Sequence, residues 1–540
     1  MIRWMGKQAK YARLHTAKAK QSKQEQPNPH ASQSSERLKL PPPETVQTSL
    51  DLNERHLREI LGENDSILCR RFQLGTGPKR AVLLVSITGI TDKKTVNEGV
   101  ISPIMKAELP TDGTNVLTFM RESVLAVMDI GDSDEFSFIV GLVLQGNVAV
   151  FVEGETRALL IPAGAWKSRA IDQPVSETVI RGPRDSFVED LNINLSLLRK
   201  RIHHPQLRLE TSIVGTMTQT KVVMVYVEGI VDEAVVEEVR KRISKIKVDM
   251  VIESGYIEQH IEDAPFSIFP TIANTEKPDI TAARILEGRV AIFVDGTPIV
   301  LTLPDLLISH FQVSEDYYAR PFYSSLVRLL RILSFLTTTM LPGLFVAVQY
   351  YHPVLIPYSL LVSLSKSREG VPFQLYIEVI LMILVFEVIR EAGVRMPRPI
   401  GQAVSIVGAI ILGQSAVEAG LVGIPVVVVV AFAGISTFLI NSLAEPISIL
   451  RLLFALAGST LGIYGILLLG MIVVTHLATL RSFGVPYASP LFPLKWGDWK
   501  DAIFRFPLKS LWHRPQTLNP ENYRRIKQGG ESNGKKQKKE

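Results

Sequence analysis

The most restrictive feature of this 540-residue chain is a long stretch near its C-terminal end that carries almost no charge. Between Pro399 and Leu480 the charged residues are Glu418, Glu445 and Arg451. A helix needs about 20 apolar residues to cross a bilayer core of roughly 30 Å. We therefore predict a soluble α/β N-terminal half of two duplicated subdomains, followed by an α-helical polytopic membrane domain.

The net charge of +6 is concentrated at the two ends of the chain. Residues 1–40 hold nine Lys and Arg against two acidic residues, and residues 481–540 hold thirteen against five. We interpret this charge as that of solvated ends and not as an aromatic-basic binding surface, so a nucleic-acid partner is disfavoured. Both ends are expected to be solvated, partly disordered tails beside an anionic membrane surface.

Cysteine usage and the N-terminal sequence indicate the compartment. Cys69 is the single cysteine, which excludes a disulfide framework and a thiolate metal cluster. Residues 1–40 lack the apolar core of a secretory signal. We therefore expect the soluble half to be cytosolic.

The soluble half contains an internal repeat with an offset of 142 residues. The segment from Gly146 to Ala163 matches the segment from Gly288 to Asp305 at eight of eighteen positions. Each copy has two apolar strands around an acidic residue and a glycine, which predicts a β-hairpin. With a second pair of similar strands upstream, this repeat predicts two related α/β subdomains.

A basic segment lies between the two copies and contains RGPRDSF, which begins with Arg181, Gly182, Pro183 and Arg184. Downstream apolar residues recur every three or four positions, which predicts a helix. This linker helix could pack on its own domain, on the other subdomain, on a neighbouring subunit or on lipid headgroups. The predicted units are a tail at 1–48, a subdomain at 49–176, the linker helix at 177–206, a subdomain at 207–315, the transmembrane domain at 320–480 and a cytoplasmic tail at 481–540.

Several apolar runs of the C-terminal half are long enough to cross a membrane. The last run, Leu452 to Leu480, exceeds one span and is either one tilted helix or, together with Pro446 to Leu456, a hairpin bent at Gly458-Ser459. Basic tails at both ends favour an even number of crossings, hence the hairpin. The earlier predicted spans are Ile332–Tyr351, Val371–Ile389, Ile400–Val417 and Leu421–Ala444.

A shorter apolar run between the first two spans, Val354 to Leu364, is interrupted by Pro357. Irregular backbone is tolerated at membrane depth only against protein or water, so a re-entrant or broken helix is expected there. Its hydroxyls and prolines suit lipid contact poorly. The candidate pore or gate residues are therefore Pro357, Ser359, Leu360 and Ser363.

Ionisable residues inside spans are costly and mark candidate functional positions. Glu387 with Arg390, and Glu391 with Arg395, have the spacing of ion pairs along one helix face, which favours a structural role. Glu378 lies on the opposite face without a cationic neighbour on its own helix. It is the better candidate for a polar pathway or a subunit contact.

No motif supports catalysis, a cofactor or a metal. GTGPKR, from Gly75 to Arg80, lacks the spacing and the hydroxyl of a phosphate-binding loop, and His203-His204 has no supporting ligands. No nucleophile elbow is present. An enzyme is the weakest interpretation.

Four motifs closely resemble the A subunits of GerA-type spore germinant receptors: RGPRDSF, REGVPF, EDYYARPFYSSLVRLLR and FEVIREAGVRMPRPIGQAVSIVGAIILGQSAVEAGLV. The resemblance extends from about residue 50 to about residue 500. It implies a protein of the spore inner membrane that acts with a transporter-like B subunit and a lipoprotein C subunit. It also implies oligomerisation into a gated pathway for monovalent cations, with no nucleic-acid partner.

Two other functions remain open from the sequence. The chain could be a scaffold that assembles the B and C subunits without conducting ions. It could also be a paralogous spore-membrane protein that modulates the release of ions or dipicolinate. A secondary transporter is less favoured, because no inverted pair of interrupted helices is present.

Overall fold

The structure, a computed structural model, has an α/β N-terminal half and a helical C-terminal half. It describes residues 45–62, 64–75, 80–108, 115–127, 129–164, 174, 177, 179–395, 413–518 and 522–525. The predicted tail at 1–48 therefore lies almost entirely outside the described residues.

The first subdomain is built on a five-stranded antiparallel sheet with strand order β1-β2-β4-β5-β3. Alternate residues of its central strands face opposite sides: Leu83 packs under one helical layer, and Leu84 packs under the other. The elements, in chain order, are α1 Leu50–Leu61, β1 Ile67–Leu74, β2 Arg80–Ile87, α2 Lys93–Val96, α3 Ser102–Lys106, α4 Val116–Phe119, β3 Gly131–Ser133, α5 Phe136–Leu144, β4 Val148–Val152 and β5 Ala158–Ile161, with π-helical turns at Asn97–Ile101 and Met120–Val124.

The second subdomain has a five-stranded sheet whose order, β6-β7-β9-β10-β8, follows the same scheme. Val223 and Val222 again face opposite helical layers. The predicted hairpins are present in both sheets, and Gly154 and Gly296 take positive φ values of 88° and 89° at their turns. The elements are α6 Leu191–Arg199, β6 Leu207–Val214, β7 Thr220–Val227, α7 Glu233–Ser244, α8 Ser254–Ile261, β8 Ala273–Thr275, α9 Pro278–Leu286, β9 Val290–Val294 and β10 Val300–Leu303.

The helix predicted between the subdomains is α6, and it packs on the second subdomain. Leu191, Leu197 and Leu198 are buried in one hydrophobic cluster with strand residues of that sheet. At the border with the first subdomain, the buried Arg199 guanidinium donates to Ser66 Oγ. Asn64 Nδ2 also donates to the carbonyl oxygen of Leu207 at 2.9 Å. The basic face of this helix thus contributes to the contact between the two subdomains.

The helical half begins after a short helix, α10 Glu315–Tyr318. Two helical stretches in the described residues have the length and composition of a membrane span, Pro321–Tyr351 and Ile424–Thr479, and the second is interrupted at Ile440 and Gly462. Most of the predicted span at 400–417 lies outside the described residues. The elements are α11 Pro321–Tyr351, α12 Tyr358–Lys366, α13 Leu375–Arg395, α14 Ile424–Thr437 and α15 Ala444–Thr479, with 3-10 turns at Leu307–Phe311, Pro353–Leu355 and Phe438–Leu443.

Helix α15 is a hairpin rather than one tilted helix. Gly462 has φ 63° and ψ −143°, a non-helical conformation that separates an arm at 444–461 from an arm at 463–479. A Cβ on Gly465 would lie 2.2 Å from the carbonyl oxygen of Ala457, whereas eight residues of continuous helix would separate these positions by about 12 Å. The hairpin prediction is therefore confirmed, but the bend falls at Gly462 rather than at Gly458-Ser459.

The reason for this shift is the packing between α11 and α15. A Cβ on Gly458 would lie 2.4 Å from the carbonyl oxygen of Gly343, and a Cβ on Gly343 would lie 2.2 Å from that of Phe454. Gly458 therefore stays helical and permits close backbone contact, which small residues allow in membrane bundles. The positive φ is left to Gly462.

Residues 481–518 are not the solvated tail that the sequence predicts. After the short strands β11 Arg481–Ser482 and β12 Val485–Pro486, the chain packs between the second subdomain and the helical half. Ser482 Oγ donates to the carbonyl oxygen of Thr271 at 2.6 Å and accepts from the backbone N–H of Asp305 at 2.9 Å. The prediction followed the basic composition of this segment and did not take account of its apolar residues, which make a folded structure possible.

Asp305 is fully buried at this junction. Its carboxylate lies 2.7 Å from His310 Nε2 and 3.4 Å from Arg289 Nη1. Burial opposes ionisation, but His310 and Arg289 outweigh it and hold the pKa of Asp305 below its ordinary value. The end of β10 is thereby fixed where the chain turns toward α11.

Candidate functional site

A buried arginine lies at the meeting point of four helices in the C-terminal half. Arg451, on the first arm of α15, is 0% exposed. Its guanidinium donates to the carbonyl oxygen of Thr338 at 3.0 Å and to Thr338 Oγ1 at 2.7 Å, on α11. It also donates to Thr437 Oγ1 on α14. One side chain therefore joins three helices through the geometry of the arginine fork.

The fourth helix supplies the opposite charge. Glu387 on α13 lies 3.4 Å from Arg451 Nη1 and 2.7 Å from Arg390 Nη2. The guanidinium of Arg451 also lies 5.5 Å from the centre of the Phe386 ring, close enough for a cation–π contact. A buried charge is tolerated only when it is paired and hydrogen-bonded, and Arg451 is both. We call Arg451, Glu387, Arg390, Thr338 and Thr437 the buried charge network.

Local packing explains how these side chains meet. Thr338 Oγ1 donates to the carbonyl oxygen of Ala433 at 2.6 Å and lies 2.8 Å from Thr437 Oγ1. A Cβ on Gly434 would lie 2.4 Å from the Phe386 ring, so a glycine is required where α13 and α14 cross. Small residues and threonine hydroxyls thus draw the helices together around the arginine.

Glu378 has a cationic partner, but this partner does not lie on its own helix. Its carboxylate is 0% exposed, accepts from Arg368 Nη2 at 2.6 Å and accepts from the backbone N–H of Gly423 at 2.9 Å. Arg368 belongs to the loop before α13, and Gly423 is the N-cap residue of α14, where a carboxylate interacts favourably with the helix dipole. Glu378 therefore fastens this loop to α13 and α14.

The other predicted pair is exposed. Glu391 and Arg395 lie 2.6 Å apart with side chains 56% and 78% exposed. Both predicted pairings along α13 are thus present, but Glu387 also reaches Arg451 on another helix. Exposed pairs contribute little to stability, so the two pairs differ in role.

The candidate gate residues lie on and beside α12, a nine-residue helix with no buried residue. Leu360 and Ser363 line an apolar groove of about 640 Å³ between α11, α12 and α14. Ser363 Oγ donates back to the carbonyl oxygen of Ser359 at 2.9 Å. Pro357 takes the N-cap position of α12, and neither it nor Ser359 lines the groove.

The linker motif lies at the junction between the halves rather than beside these helices. The backbone N–H of Arg181 donates to Glu315 Oε1 at 3.2 Å, and the buried Lys277 donates to the carbonyl oxygen of Pro183 at 2.9 Å. Gly182 has φ 145°, and a Cβ there would lie 2.8 Å from the Tyr318 ring. Arg184 is exposed. The motif thus connects the second subdomain to α10.

Sequence reasoning missed the centre of the buried charge network. Arg451 was visible as an isolated charge in an apolar run, which is the signal that marks an intramembrane functional position. Thr338 and Thr437 carried no such signal. Across the described ranges, no group of His, Cys, Asp and Glu is placed to hold a metal ion.

Comparisons with known proteins agree with the resemblance of the motifs. The family described as "Bacillus/Clostridium GerA spore germination protein" matches residues 55–517. Spore germination protein KA of Bacillus subtilis is 37% identical over 489 residues, covering 90% of this chain and 89% of the relative. Spore germination protein GerLA of Bacillus cereus is 36% identical over 466 residues, covering 86% and 94%.

The chain is also similar to a relative described as uncharacterized and to the solved structure of a receptor domain. The uncharacterized membrane protein YfkQ of Bacillus subtilis is 38% identical over 479 residues, covering 88% of this chain and 93% of the relative. The solved structure is the N-terminal domain of the A subunit of the Bacillus megaterium spore germinant receptor GerK3. It shares 32% identity at a TM-score of 0.40 and covers 49% of this chain and 98% of its own.

Proposed function

The chain belongs to the Bacillus/Clostridium GerA family of spore germination proteins, and from that premise we propose that it is a receptor A subunit that forms part of a gated pathway for monovalent cations. Its partners in this proposal are a transporter-like B subunit, a lipoprotein C subunit and further copies of itself. The nutrient signal reaches this chain through them and opens the pathway.

The proposed arrangement places the soluble half on the cytosolic side of the spore inner membrane. In this arrangement the bilayer is crossed by α11, by α13, by α14 together with the 3-10 turn that follows it, and by each arm of α15, and the predicted span at 400–417 completes an even number of crossings. The hairpin supports this count, because Glu445 at its start and His476 at its end both lie beside the second subdomain. The equivalent strand orders support an origin of the two subdomains by duplication.

The observation that carries the channel proposal is the position of α12. A nine-residue helix spans about 14 Å, too little to cross a bilayer. Every residue of α12 is at least partly exposed, although the helix contacts α11 and α14 across the groove. In an oligomer, the exposed Ser359 and Leu360 face neighbouring copies or an aqueous pore rather than lipid.

The buried charge network has a different role in this proposal. It holds α11, α13, α14 and α15 as one rigid unit, because a desolvated arginine cannot leave its partners without a large cost. The gate is then formed by α12, which lies outside the network, working against a fixed bundle. Arg368 and Glu378 set where the loop after α12 rejoins that bundle.

Conductance of the reconstituted protein tests this proposal. Leu360→Trp and Ser363→Leu should change the open probability or the unitary conductance, whereas Leu467→Trp should not. Leu467 is a matched control because it is 63% exposed on the second arm of α15, away from α12. Unaltered conductance in both α12 variants would remove α12 from the gate, and a protein that passes no ions in any assembly would favour a scaffold.

A further inference from the structure

The segment after α15, residues 481–518, presents large apolar side chains to its surroundings. Seven of them are between 45% and 73% exposed, although the same segment buries Tyr487 and Leu518. Exposed apolar side chains gathered in one short segment are typical of an interaction site. We call these seven residues, five of them aromatic, the C-terminal aromatic surface: Phe492, Leu494, Trp496, Phe504, Phe506, Leu508 and Trp512.

This surface adjoins the start of the first membrane helix. The backbone N–H of Arg505, between Phe504 and Phe506, donates to Ser325 Oγ on α11 at 3.0 Å. One turn earlier, α11 exposes Phe322 at 93%. The segment also continues directly from the end of α15. Apolar surface therefore extends from helices that qualify as membrane spans onto the folded C-terminal segment.

The outward charge of the segment is positive. It holds six Lys and Arg against two acidic residues, Asp498 and Asp501. Both carboxylates are engaged internally: Asp498 accepts from the backbone N–H of Thr517 at 2.9 Å, and Asp501 accepts from Tyr317 Oη at 2.9 Å. Lys500 and Lys509 are exposed. Their charge is thus available to an external anionic partner.

We propose that residues 481–518 form an interfacial docking surface that sits on the anionic leaflet of the membrane next to α11 and α15. Trp496 and Trp512 lie at the boundary between headgroups and acyl chains, where amphipathic aromatic rings are favoured. Lys500 and Lys509 interact with lipid phosphates. The inference rests on the membrane arrangement of the proposed function and adds a lipid partner for a segment outside the spans.

A lipid surface fits these observations better than a second copy does. The same surface on another copy carries the same positive charge, and like charges across an interface oppose association. A surface that carries both aromatic residues and lysines is typical of peripheral membrane contacts. Binding of a second copy is nevertheless one outcome that the experiment detects.

Tryptophan quenching in proteoliposomes tests the proposal with the full chain. A background of Trp4→Phe and Trp166→Phe leaves the three tryptophans of the C-terminal segment. Lipids brominated near the headgroup end of the acyl chain should quench this emission strongly. Adding Trp496→Phe and Trp512→Phe should remove most of the quenchable emission, with an unchanged thermal midpoint as evidence of folding.

The charge dependence provides the second measurement. Quenching should increase as phosphatidylglycerol replaces phosphatidylcholine, and Lys500→Gln with Lys509→Gln should weaken that dependence. The matched control is Lys93→Gln with Lys94→Gln, two exposed lysines of the first subdomain, which should leave it unchanged. Each Lys→Gln change is expected to lower the ratio of docked to undocked segment by about fivefold.

Two results would overturn the inference itself, and a third would refute the arrangement on which it rests. Emission that brominated lipids do not quench, in protein that resists alkaline extraction, would place the surface away from the membrane. Protection of the tryptophans from quenching that increases with the protein-to-lipid ratio, and not with the fraction of anionic lipid, would assign the surface to a second copy. Extraction of the wild-type chain by alkali would instead refute the membrane arrangement of the proposed function.

Discussion

At the scale of single residues, the most consequential side chain is Arg451. It is fully buried, and its partners come from α11, α13 and α14. Removing one member of a buried pair leaves an uncompensated group, which costs more than the pair itself contributes. The network is therefore expected to be sensitive to small changes at this position.

Replacing Arg451 by Met should lower the free energy of unfolding by about 3–5 kcal/mol, because Glu387 and the threonine hydroxyls lose their shared donor. Arg451→Lys should cost less, since a charge remains but the fork is lost. Thermal denaturation in detergent measures both. Arg395→Met is the matched control, because its exposed ion pair contributes roughly 0.5 kcal/mol. Equal effects of Arg451→Met and Arg395→Met would contradict the role of burial.

A second residue-scale prediction concerns Glu258 on α8. Its pKa is raised from 4.5 to about 7, first by burial and then by four neighbouring carboxylates, those of Glu262, Glu253, Glu445 and Asp305. The folded state therefore holds the proton more tightly than the unfolded chain. Stability should fall as pH rises from about 4.5 to about 7 and should be level above that range.

Replacing Glu258 by Gln should flatten this part of the profile and raise the thermal midpoint at pH 8 relative to wild type. The midpoint in detergent, recorded across pH 4 to 9, measures the change. Glu237→Gln on the exposed face of α7 should leave the wild-type profile in place. A profile that Glu258→Gln does not alter would assign the pH dependence to another group.

At the scale of elements, the contact between α11 and α15 determines the shape of the helical half. Gly343 and Gly458 bring the two backbones together, and Gly462 then turns the chain back. Hydrophobic burial does not drive helix association inside a bilayer, so packing at these glycines and polar contacts must do so. The two arms of α15 consequently depend on residues of the first helix.

Gly343→Ala should destabilise this contact by about 1–3 kcal/mol, because the new Cβ would lie 2.2 Å from the carbonyl oxygen of Phe454. Gly470→Ala, on the second arm of α15, is the control, since nothing lies within 4 Å of a Cβ placed there. Thermal midpoints in detergent and protease resistance compare the two variants. If Gly470→Ala proved as damaging as Gly343→Ala, the close approach of the helices would not be the cause.

At the scale of the whole molecule, the soluble and helical halves are joined by ion pairs as well as by the chain. Arg328 on α11 is 0% exposed and lies 3.2 Å from Asp316 and 3.3 Å from Asp501. Arg331 Nη1 lies 2.9 Å from Asp316. The C-terminal segment, α10 and α11 therefore meet at a single buried cluster, through which a movement of the N-terminal half would reach the helical half.

Arg328→Met should release the C-terminal segment, since Asp501 loses its cationic partner. Trypsin cleavage after Lys500 and Lys509 should accelerate on the order of a hundredfold, as expected when about 3 kcal/mol of local stability is lost. Arg320→Met, at the exposed N-cap of α11, is the control. Unchanged cleavage in Arg328→Met would show that the segment is held by other contacts.

Much of this organisation could be predicted from local patterns. The repeat predicted the two hairpins, the uncharged run predicted the helical half, and the spacing of Glu387 with Arg390 predicted their pairing. Glu378 shows the limit of local patterns, because its partner Arg368 does not lie on α13, the helix that carries Glu378. The sequence could predict that a buried carboxylate needs a positively charged partner, but it could not predict where in the chain that partner lies.

The sequence by itself determined the division of the chain, because apolar length and strand periodicity are local properties that any fold of this chain must respect. Only the tertiary structure decided that Arg451 meets Thr338, 113 residues earlier in the chain, and that residues 481–518 fold against the junction. These contacts depend on how helices approach in space. That approach is set by backbone contacts such as Gly343 with Gly458, which leave no periodic signal in the sequence.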